Sequence, residues 1–332
     1  MKRFYKFAML TVATVLLTSC GGKTEGSADE VLSKKAYSKA VVNYKSIDDF
    51  YEGVAIVSND GLYGVINAKG KEIVPCQYDD LGECTNGFMW FKEVDKDYHS
   101  FYGYLNNKGE VIIPADYIGL GSFSDNGLAR VQVMLDKDGS RYDVENIPWG
   151  YINTKGEEVI APKYQNAGDF VDGLAPVKIE GKWGYINKKE EFVLPANFDK
   201  AYVFNDGAAL VKKDGKEYMI NTDGEIVFTL KENQEFLDYS LSDGLIPIYD
   251  NDKGHVMYYN NKGEVAIDTE FAYGTPFEDG KAAVYLDKKV QVINTKGKVI
   301  EEEITDLDLL EYFIDEAEYF IDIPNRYYKL LD

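Results

Sequence analysis

The stretch Lys182-Trp183-Gly184-Tyr185-Ile186-Asn187-Lys188-Lys189 decides the fold, because copies of it return along most of the chain. The clearest copies begin at four pairs of an aromatic residue and glycine: Tyr63-Gly64, Tyr102-Gly103, Trp149-Gly150 and Trp183-Gly184. Fainter copies end at Asn221, Asn260 and Asn294. A unit that is repeated this often predicts a repeat architecture, and it points to no particular reaction.

A second motif alternates with the first. It consists of an acidic residue or Asn, then Gly, then small and β-branched residues, as in Asp172-Gly173-Leu174-Ala175-Pro176-Val177. Its glycines lie at positions 53, 87, 127, 173, 207, 244 and 280, and the shortest spacing is 34 residues. The longer spacings contain polar insertions such as residues 92–100 and 134–148, which we place in turns because turns tolerate insertion.

Each unit is predicted to be a β-hairpin followed by a third short strand. The Pro in the third strand should stop it, because Pro has no N–H to donate and therefore belongs at a strand end or at a sheet edge. Aromatic residues after this Pro and before the next Gly should pack unit against unit: Tyr78, Tyr117, Tyr164, Phe198, Phe50, Phe123, Phe170, Phe204 and Phe277. We therefore expect an all-β repeat protein of about seven three-to-four-stranded units, arranged in a β-propeller-like ring or in an open β-solenoid.

The presence of glycine in the aromatic–glycine pair needs an explanation, because Gly weakens a strand and is expected there only where another group approaches the backbone closely. We expect a ring or the backbone of the adjacent unit at this place. The aromatic residue itself could stack on a sugar, but regular recurrence favours packing.

The phrase Trp-Gly-Tyr-Ile-Asn-x-Lys-Gly, the upstream Asp-Gly-Leu-Ala and the downstream Pro-x-x-Tyr resemble the WG-repeat family, also called KWG repeats. The resemblance extends roughly from Phe50 to Gly297 and fades in the last three units, where the Trp-Gly pair is lost. It implies short β-rich repeats, often on exported proteins. It implies no general catalytic residues.

The amino terminus predicts export. Residues 1–19 combine a basic start with an apolar run that is too short to span a bilayer, which is typical of a signal peptide. Leu17-Thr18-Ser19-Cys20 resembles a bacterial lipobox, and this resemblance implies that Cys20 carries a diacylglycerol thioether and an acylated amine. A plain cleaved signal is the alternative. We expect a lipid-anchored protein of the bacterial cell envelope, at the outer membrane or the cell surface.

The remaining chain divides into three predicted segments. Residues 20–35 form the lipidated Cys and a flexible tether, and residues 36–300 form the WG-repeat β domain. Residues 301–332 should close or cap the array, with an amphipathic helix over 304–317 and then a degenerate hairpin. Cys76 and Cys84 lie eight residues apart, and this spacing allows either a disulfide between them or two free thiols.

The formal charge of -21 argues against nucleic-acid binding. His99 and His255 are the only histidines in the sequence, which are too few to favour a His-centred catalytic triad or a zinc site. Asp136-Lys137-Asp138-Gly139 and Asp250-Asn251-Asp252-Lys253-Gly254 suggest calcium turns, but both lack the EF-hand pattern and fit ordinary hairpin turns. We expect no catalytic residues, no cofactor and no metal site.

Three classes of function remain. The first is a membrane-anchored binding or scaffold module that recognises a protein or a glycan, and this is our hypothesis. The second is a glycan-processing hydrolase with paired carboxylates among the inserted loops. The third is a purely structural envelope protein. The expected partners are membrane lipid, through Cys20, and a protein or glycan.

Overall fold

The computed structural model describes residues 43–133, 147–239, 241–287 and 289–302, together with Ile304, Leu310 and Phe313. The chain divides into two compact units, Met1–Ser122 and Phe123–Asp332. The described residues form seven antiparallel sheets of four strands each. The all-β class and the seven repeats predicted from the sequence are therefore confirmed, and closure into a ring stays a prediction.

The first unit contains two complete sheets with their strands in chain order. The first sheet consists of β1 (Ser46–Tyr51), β2 (Val54–Asn59), β3 (Leu62–Asn67) and β4 (Glu72–Tyr78). The second consists of β5 (Asp80–Leu81), β6 (Phe88–Val94), β7 (Ser100–Asn106) and β8 (Val111–Tyr117). The short strand β9 (Gly119–Leu120) lies near the end of this unit.

The second unit repeats the same pattern, again in chain order. Within this unit, the third sheet contains β10 (Leu128–Gln132), β11 (Trp149–Asn153) and β12 (Glu158–Tyr164). The fourth sheet consists of β13 (Asn166–Ala167), β14 (Ala175–Ile179), β15 (Lys182–Ile186) and β16 (Phe192–Phe198). The fifth consists of β17 (Lys200–Ala201), β18 (Ala208–Lys213), β19 (Lys216–Asn221) and β20 (Ile226–Thr229). The sixth consists of β21 (Gln234–Phe236), β22 (Leu245–Asp250), β23 (His255–Asn260) and β24 (Val265–Phe271), and the seventh of β25 (Tyr273–Gly274), β26 (Lys281–Leu286), β27 (Lys289–Asn294) and β28 (Val299–Glu301).

Two kinds of tight turn recur in the repeats. Glu180 and Gly181 join β14 to β15 with φ angles of 49° and 80°. Two successive positive φ angles match the twist of antiparallel strands in a two-residue turn, which is why an acidic residue followed by Gly recurs there, as in Asp60-Gly61 and Asp214-Gly215. After the hairpin, the Asn187 side chain accepts hydrogen bonds from the backbone N–H groups of Lys189 and Glu191, which fixes the next turn.

The third long strand of a repeat continues through its proline. Pro75 lies inside β4, and Pro195 lies inside β16. Both strands are at the edge of their sheet, as predicted, but the expectation that Pro ends the strand is wrong. The pairing shifts register beside each Pro, and such a bulge accommodates a residue without an N–H donor.

Aromatic residues pack neighbouring repeats together, as predicted. In the second unit, Phe170 of the fourth repeat lies 4.9 Å from Tyr151 of the third, measured between ring centroids. Phe204 lies 4.7 Å from Tyr185 in the same relation. The hydroxyl of Tyr185 also donates a hydrogen bond to the backbone oxygen of Tyr202 at 2.7 Å. The third and fourth sheets therefore each complete their core with residues of the next sheet.

The C-terminal segment begins differently from the helix predicted over 304–317. Ile304 donates its N–H to the Val290 oxygen of β27 at 3.0 Å and is not helical, so the helix does not begin at this residue. Leu310 and Phe313 are helical and fully buried in the same cluster. The predicted hairpin that follows lies outside the described residues. In the part of the chain that the structure describes, no helix has the length and hydrophobicity needed to cross a membrane.

Candidate functional site

A cavity of about 590 Å³ lies in the first unit, between residues of its two sheets. Its wall combines two aromatic rings, three carboxylates, two hydroxyls and two aliphatic side chains. The lining residues are Asp48, Ile56, Tyr63, Asp80, Leu81, Gly82, Glu83, Thr85, Trp90 and Ser122. Ligand sites commonly have this composition, with flat apolar surfaces and a few convergent polar groups.

The Trp90 ring forms one wall and is half-buried. It lies edge-on to Tyr102, with ring centroids 6.0 Å apart. Gly82 makes room for it, since a Cβ atom on Gly82 would lie 1.9 Å from Trp90 Nε1. The indole N–H makes no hydrogen bond with the described residues. Trp90 therefore offers a ligand both a fixed aromatic surface and an open donor.

The carboxylates of the wall are only partly engaged by the protein. One oxygen of Asp80 accepts a hydrogen bond from the Leu81 N–H at 3.0 Å. Glu83 is exposed, and its carboxylate makes neither a hydrogen bond nor an ion pair within the described part of the chain. Asp48 is an exposed residue of the cavity wall, and partial desolvation, together with the neighbouring Asp49, raises the pKa of its carboxyl group. The described residues of the wall are thus negative and include no basic side chain.

The aromatic residues of the repeat signature are half-buried, and their glycines are fully buried: Tyr63, Gly64, Tyr102, Gly103, Trp149, Gly150, Trp183 and Gly184. A Cβ atom on Gly184 would lie 2.7 Å from the Leu194 oxygen and the Ala196 nitrogen. Both atoms belong to β16 of the same sheet. The expectation that the adjacent unit approaches this glycine is therefore wrong.

The predicted repeat signature contains one ring of the cavity, Tyr63, although packing was its favoured role, and it does not contain the other ring, Trp90. Trp90 stands at a position of the second motif where the other repeats have Ile56, Arg130, Pro176, Leu210, Pro247 and Ala283. A signal was available, because a single Trp among smaller or differently shaped residues breaks the repeat. The motif as a whole predicts only a hairpin strand, and this prediction does not depend on which side chain stands at that position.

The two cysteines are free thiols in the structure, and the disulfide that the sequence left open is not formed. The Cys76 thiol donates to the Val57 oxygen at 3.8 Å, whereas the Cys84 thiol donates to the Glu52 carboxylate at 3.3 Å. Each sulfur thus has its own partner. Burial, reinforced by the hydrogen bond to Glu52, raises the pKa of Cys84 to about 12, so this thiol stays protonated at neutral pH.

The acidic residue of the second motif has a structural role that the sequence did not reveal. Asp172 accepts a hydrogen bond from the Gly207 N–H, the glycine of the next repeat, at 2.8 Å. The same bond recurs from Gly244 to Asp206 and from Gly280 to Asp243. These carboxylates therefore connect successive hairpin turns along the second unit.

The two turns suggested for calcium remain to be located. Among the described residues, no group of three or more His, Cys, Asp and Glu side chains could hold a metal ion. Asp250 accepts hydrogen bonds from the backbone N–H groups of Asp252 and Lys253, which is an ordinary turn contact. The other suggested calcium turn, at 136–139, lies outside the described residues. So do Cys20 and the whole predicted signal segment.

Comparison with known families identifies the repeat. The family model for the WG containing repeat matches residues 42–63, 63–96, 102–133, 149–183, 183–216 and 257–289, which together make up more than half of the chain. A comparison with curated proteins found no match.

Several solved structures are similar at low sequence identity. BamB from Moraxella catarrhalis has 12% identity and a TM-score of 0.40, over 74% of this chain and 78% of that chain. Hsv2 from Kluyveromyces lactis has 14% identity and a TM-score of 0.39, over 74% and 87% respectively. An acylaminoacyl peptidase from Pyrococcus horikoshii has 12% identity and a TM-score of 0.40, over 82% of this chain and 54% of that chain.

Proposed function

Because this chain belongs to the family of proteins built from WG containing repeats, we propose that it is a binding module of the bacterial cell envelope, anchored through Cys20. The anchor is supported by the basic start, the short apolar run and the lipobox-like Leu17-Thr18-Ser19-Cys20. Acyl chains contribute about 0.8 kcal/mol per buried methylene, so that several chains on one cysteine hold a protein firmly at a bilayer.

The observation that carries the proposal is the cavity of the first unit. Trp90 and Tyr63 present aromatic surface, while Asp48 and Glu83 present carboxylates that have no partner of opposite charge among the residues the structure describes. Such a wall suits a protein segment or a glycan, because both offer flat apolar groups next to hydrogen-bond donors. We propose that the module binds its ligand and does not transform it.

The anchor is tested by metabolic labelling of the full chain with radioactive palmitate. We expect label on the wild-type protein and none on a Cys20→Ser variant, because Cys20 is the proposed acceptor. An unlabelled wild-type protein would refute the anchoring. Label that persists on Cys20→Ser would refute it equally.

The ligand site is tested with the full chain in detergent, immobilised and exposed to envelope extract and to envelope glycan fragments. We expect a partner that is retained by the wild type and lost from Trp90→Ala. Tyr98→Ala is the matched control, because Tyr98 is an aromatic residue of the same unit that is 89% exposed and does not line the cavity. Retention that does not depend on Trp90 would contradict the proposed site.

A further inference from the structure

In the second unit, an arginine side chain occupies the place that corresponds to part of this cavity. Arg130 on β10 places its guanidinium 5.0 Å from the centre of the Trp149 ring. Its Nη1 donates a hydrogen bond to the Ala167 oxygen at 2.7 Å, and its Nε lies 3.0 Å from Asp169 Oδ1. That last pair is an ion pair by distance, although its atoms are not aligned for a hydrogen bond. One guanidinium thus meets a ring, a carbonyl and a carboxylate.

Strand register identifies the equivalent residues in the first unit. Arg130 pairs with Tyr151, two residues after Trp149. Ile56 pairs with Val65, two residues after Tyr63. Ile56 therefore occupies the place of Arg130, and Tyr63 occupies the place of Trp149.

The next connecting segment corresponds in the same way. Trp149 pairs with Tyr164, and Tyr63 pairs with Tyr78. Counting onward from these tyrosines, Leu81 corresponds to Ala167 and Glu83 corresponds to Asp169. Ile56, Tyr63, Leu81 and Glu83 all line the cavity. The ring, the carbonyl position and the carboxylate are thus retained, and only the cation of the protein is replaced by an aliphatic side chain.

We propose that the cavity binds the guanidinium group of an arginine side chain from a protein partner, in the place that Arg130 fills in the second unit. Glu83 is the anionic partner, Tyr63 lies against the guanidinium plane, and the Leu81 carbonyl accepts a hydrogen bond. Carboxylates and aromatic faces both favour guanidinium over a neutral group of the same shape. A cavity of about 590 Å³ also exceeds one guanidinium, which leaves Trp90 and Asp48 for the rest of the segment. This inference rests on the proposed function and specifies its ligand.

The charge requirement is tested by calorimetric titration of the full chain in detergent. The probes are Nα-acetyl-arginine amide and Nα-acetyl-citrulline amide, which share a shape and differ in charge. We expect the arginine compound to bind at least tenfold more tightly. If the natural ligand is a protein, a tripeptide with a central arginine should bind more tightly than the single residue. If the natural ligand is a free arginine compound, the two should bind equally. Equal binding of the arginine and citrulline compounds would overturn the inference.

Variants locate the binding. Glu83→Gln should weaken the arginine probe about tenfold, while Glu93→Gln, an exposed acid of the same unit outside the cavity, should leave it unchanged. Ile56→Arg should supply an internal guanidinium and prevent binding. Ile56 is only 7% exposed, so circular dichroism must first show that this variant folds; Glu83→Gln is exposed and carries the test by itself. Unchanged affinity in Glu83→Gln overturns the inference. If an envelope partner still depends on Trp90 while no arginine probe binds, the inference fails and the proposed function stands.

Discussion

The fourth and fifth sheets differ at the signature glycine, and the difference shows what this residue does. In the fourth sheet, Gly184 lies between Trp183, which pairs with Phe198, and Tyr185, which pairs with Leu194. The pairing therefore skips residues of the edge strand and forms a bulge. In the fifth sheet, Tyr218 takes the place of Gly184, and it and the next residue pair in regular register with Thr229 and Phe228.

Glycine and proline occur together across these strands. The four sheets with an aromatic–glycine pair all have Pro in the edge strand, and the last three sheets have neither residue at these places. In the third sheet, a Cβ atom on Gly150 would lie 2.7 Å from the Pro162 nitrogen. The sixth sheet keeps its register shift with Met257 and without Pro. The glycine is therefore required by the close approach of the Pro-containing backbone, and a shifted register alone does not demand it.

The largest expected effect tests this steric explanation. Gly184→Ala should lower the free energy of unfolding by about 3 kcal/mol, because the new methyl group meets backbone atoms at 2.7 Å that cannot move separately. The measurement is the midpoint of urea unfolding by circular dichroism. Gly181→Ala is the control, since Gly181 has a φ of 80° and nothing within 4 Å of a Cβ atom, and it should cost about 1 kcal/mol. Equal costs would refute the close-approach argument.

The next effect concerns the hydroxyl group of Tyr185, the residue that follows the signature glycine of the fourth sheet. Tyr185 donates to the Tyr202 oxygen, whereas Met219 at the same place in the fifth sheet has no donor. Tyr185→Phe should therefore cost about 2 kcal/mol, because a carbonyl at the packed junction of two repeats loses its partner. Tyr218→Phe should change the unfolding midpoint little, since the structure gives the Tyr218 hydroxyl no hydrogen bond within the described residues. A similar loss in both variants would contradict the prediction.

A smaller effect is expected for the acidic residue that joins the fifth and sixth repeats. Asp206 accepts from the Gly244 N–H at 2.7 Å and has a φ of 51°. Asp206→Ala should cost about 1 kcal/mol through the lost hydrogen bond. Asp206→Asn should cost less, because Asn keeps an acceptor oxygen and tolerates positive φ, as Asn86 does with a φ of 54°. An Asn variant as unstable as the Ala variant would show that the charge itself is needed.

The smallest effect is a pH dependence of the fourth sheet. The hydrogen bond from Lys182 lowers the pKa of Asp199 and, reciprocally, raises the pKa of Lys182. A lowered folded-state pKa means that the Asp199 contribution is present above its unfolded-state pKa and is lost as pH falls through the folded value. Wild type should therefore lose slightly more stability between pH 7 and pH 3 than Asp199→Asn. The measurement is the midpoint of urea unfolding at both pH values. An identical pH response in the two proteins would show that the Lys182–Asp199 pair does not contribute to the pH dependence of stability.

The errors of sequence interpretation share one cause. The pattern around Pro195 predicted an edge position correctly but not the bulge that carries the strand through it. The neighbour of Gly184 was assigned to the wrong sheet, and Cys76 and Cys84 received partners that no spacing could indicate. Each of these features depends on residues from another strand. Local patterns describe the strand they belong to and leave its register with the next strand open.

The sequence by itself determined the repeats, the strands, the turns and the aromatic contacts between units, because each follows from alternation, glycine placement and periodic spacing along the chain. Only the tertiary structure decided that Tyr63, Glu83 and Trp90 meet around one cavity, and that Arg130 fills the corresponding place elsewhere. These side chains come from different strands and connections. Their meeting is set by how sheets pack, and packing depends on side-chain shape and burial that a one-dimensional pattern does not contain.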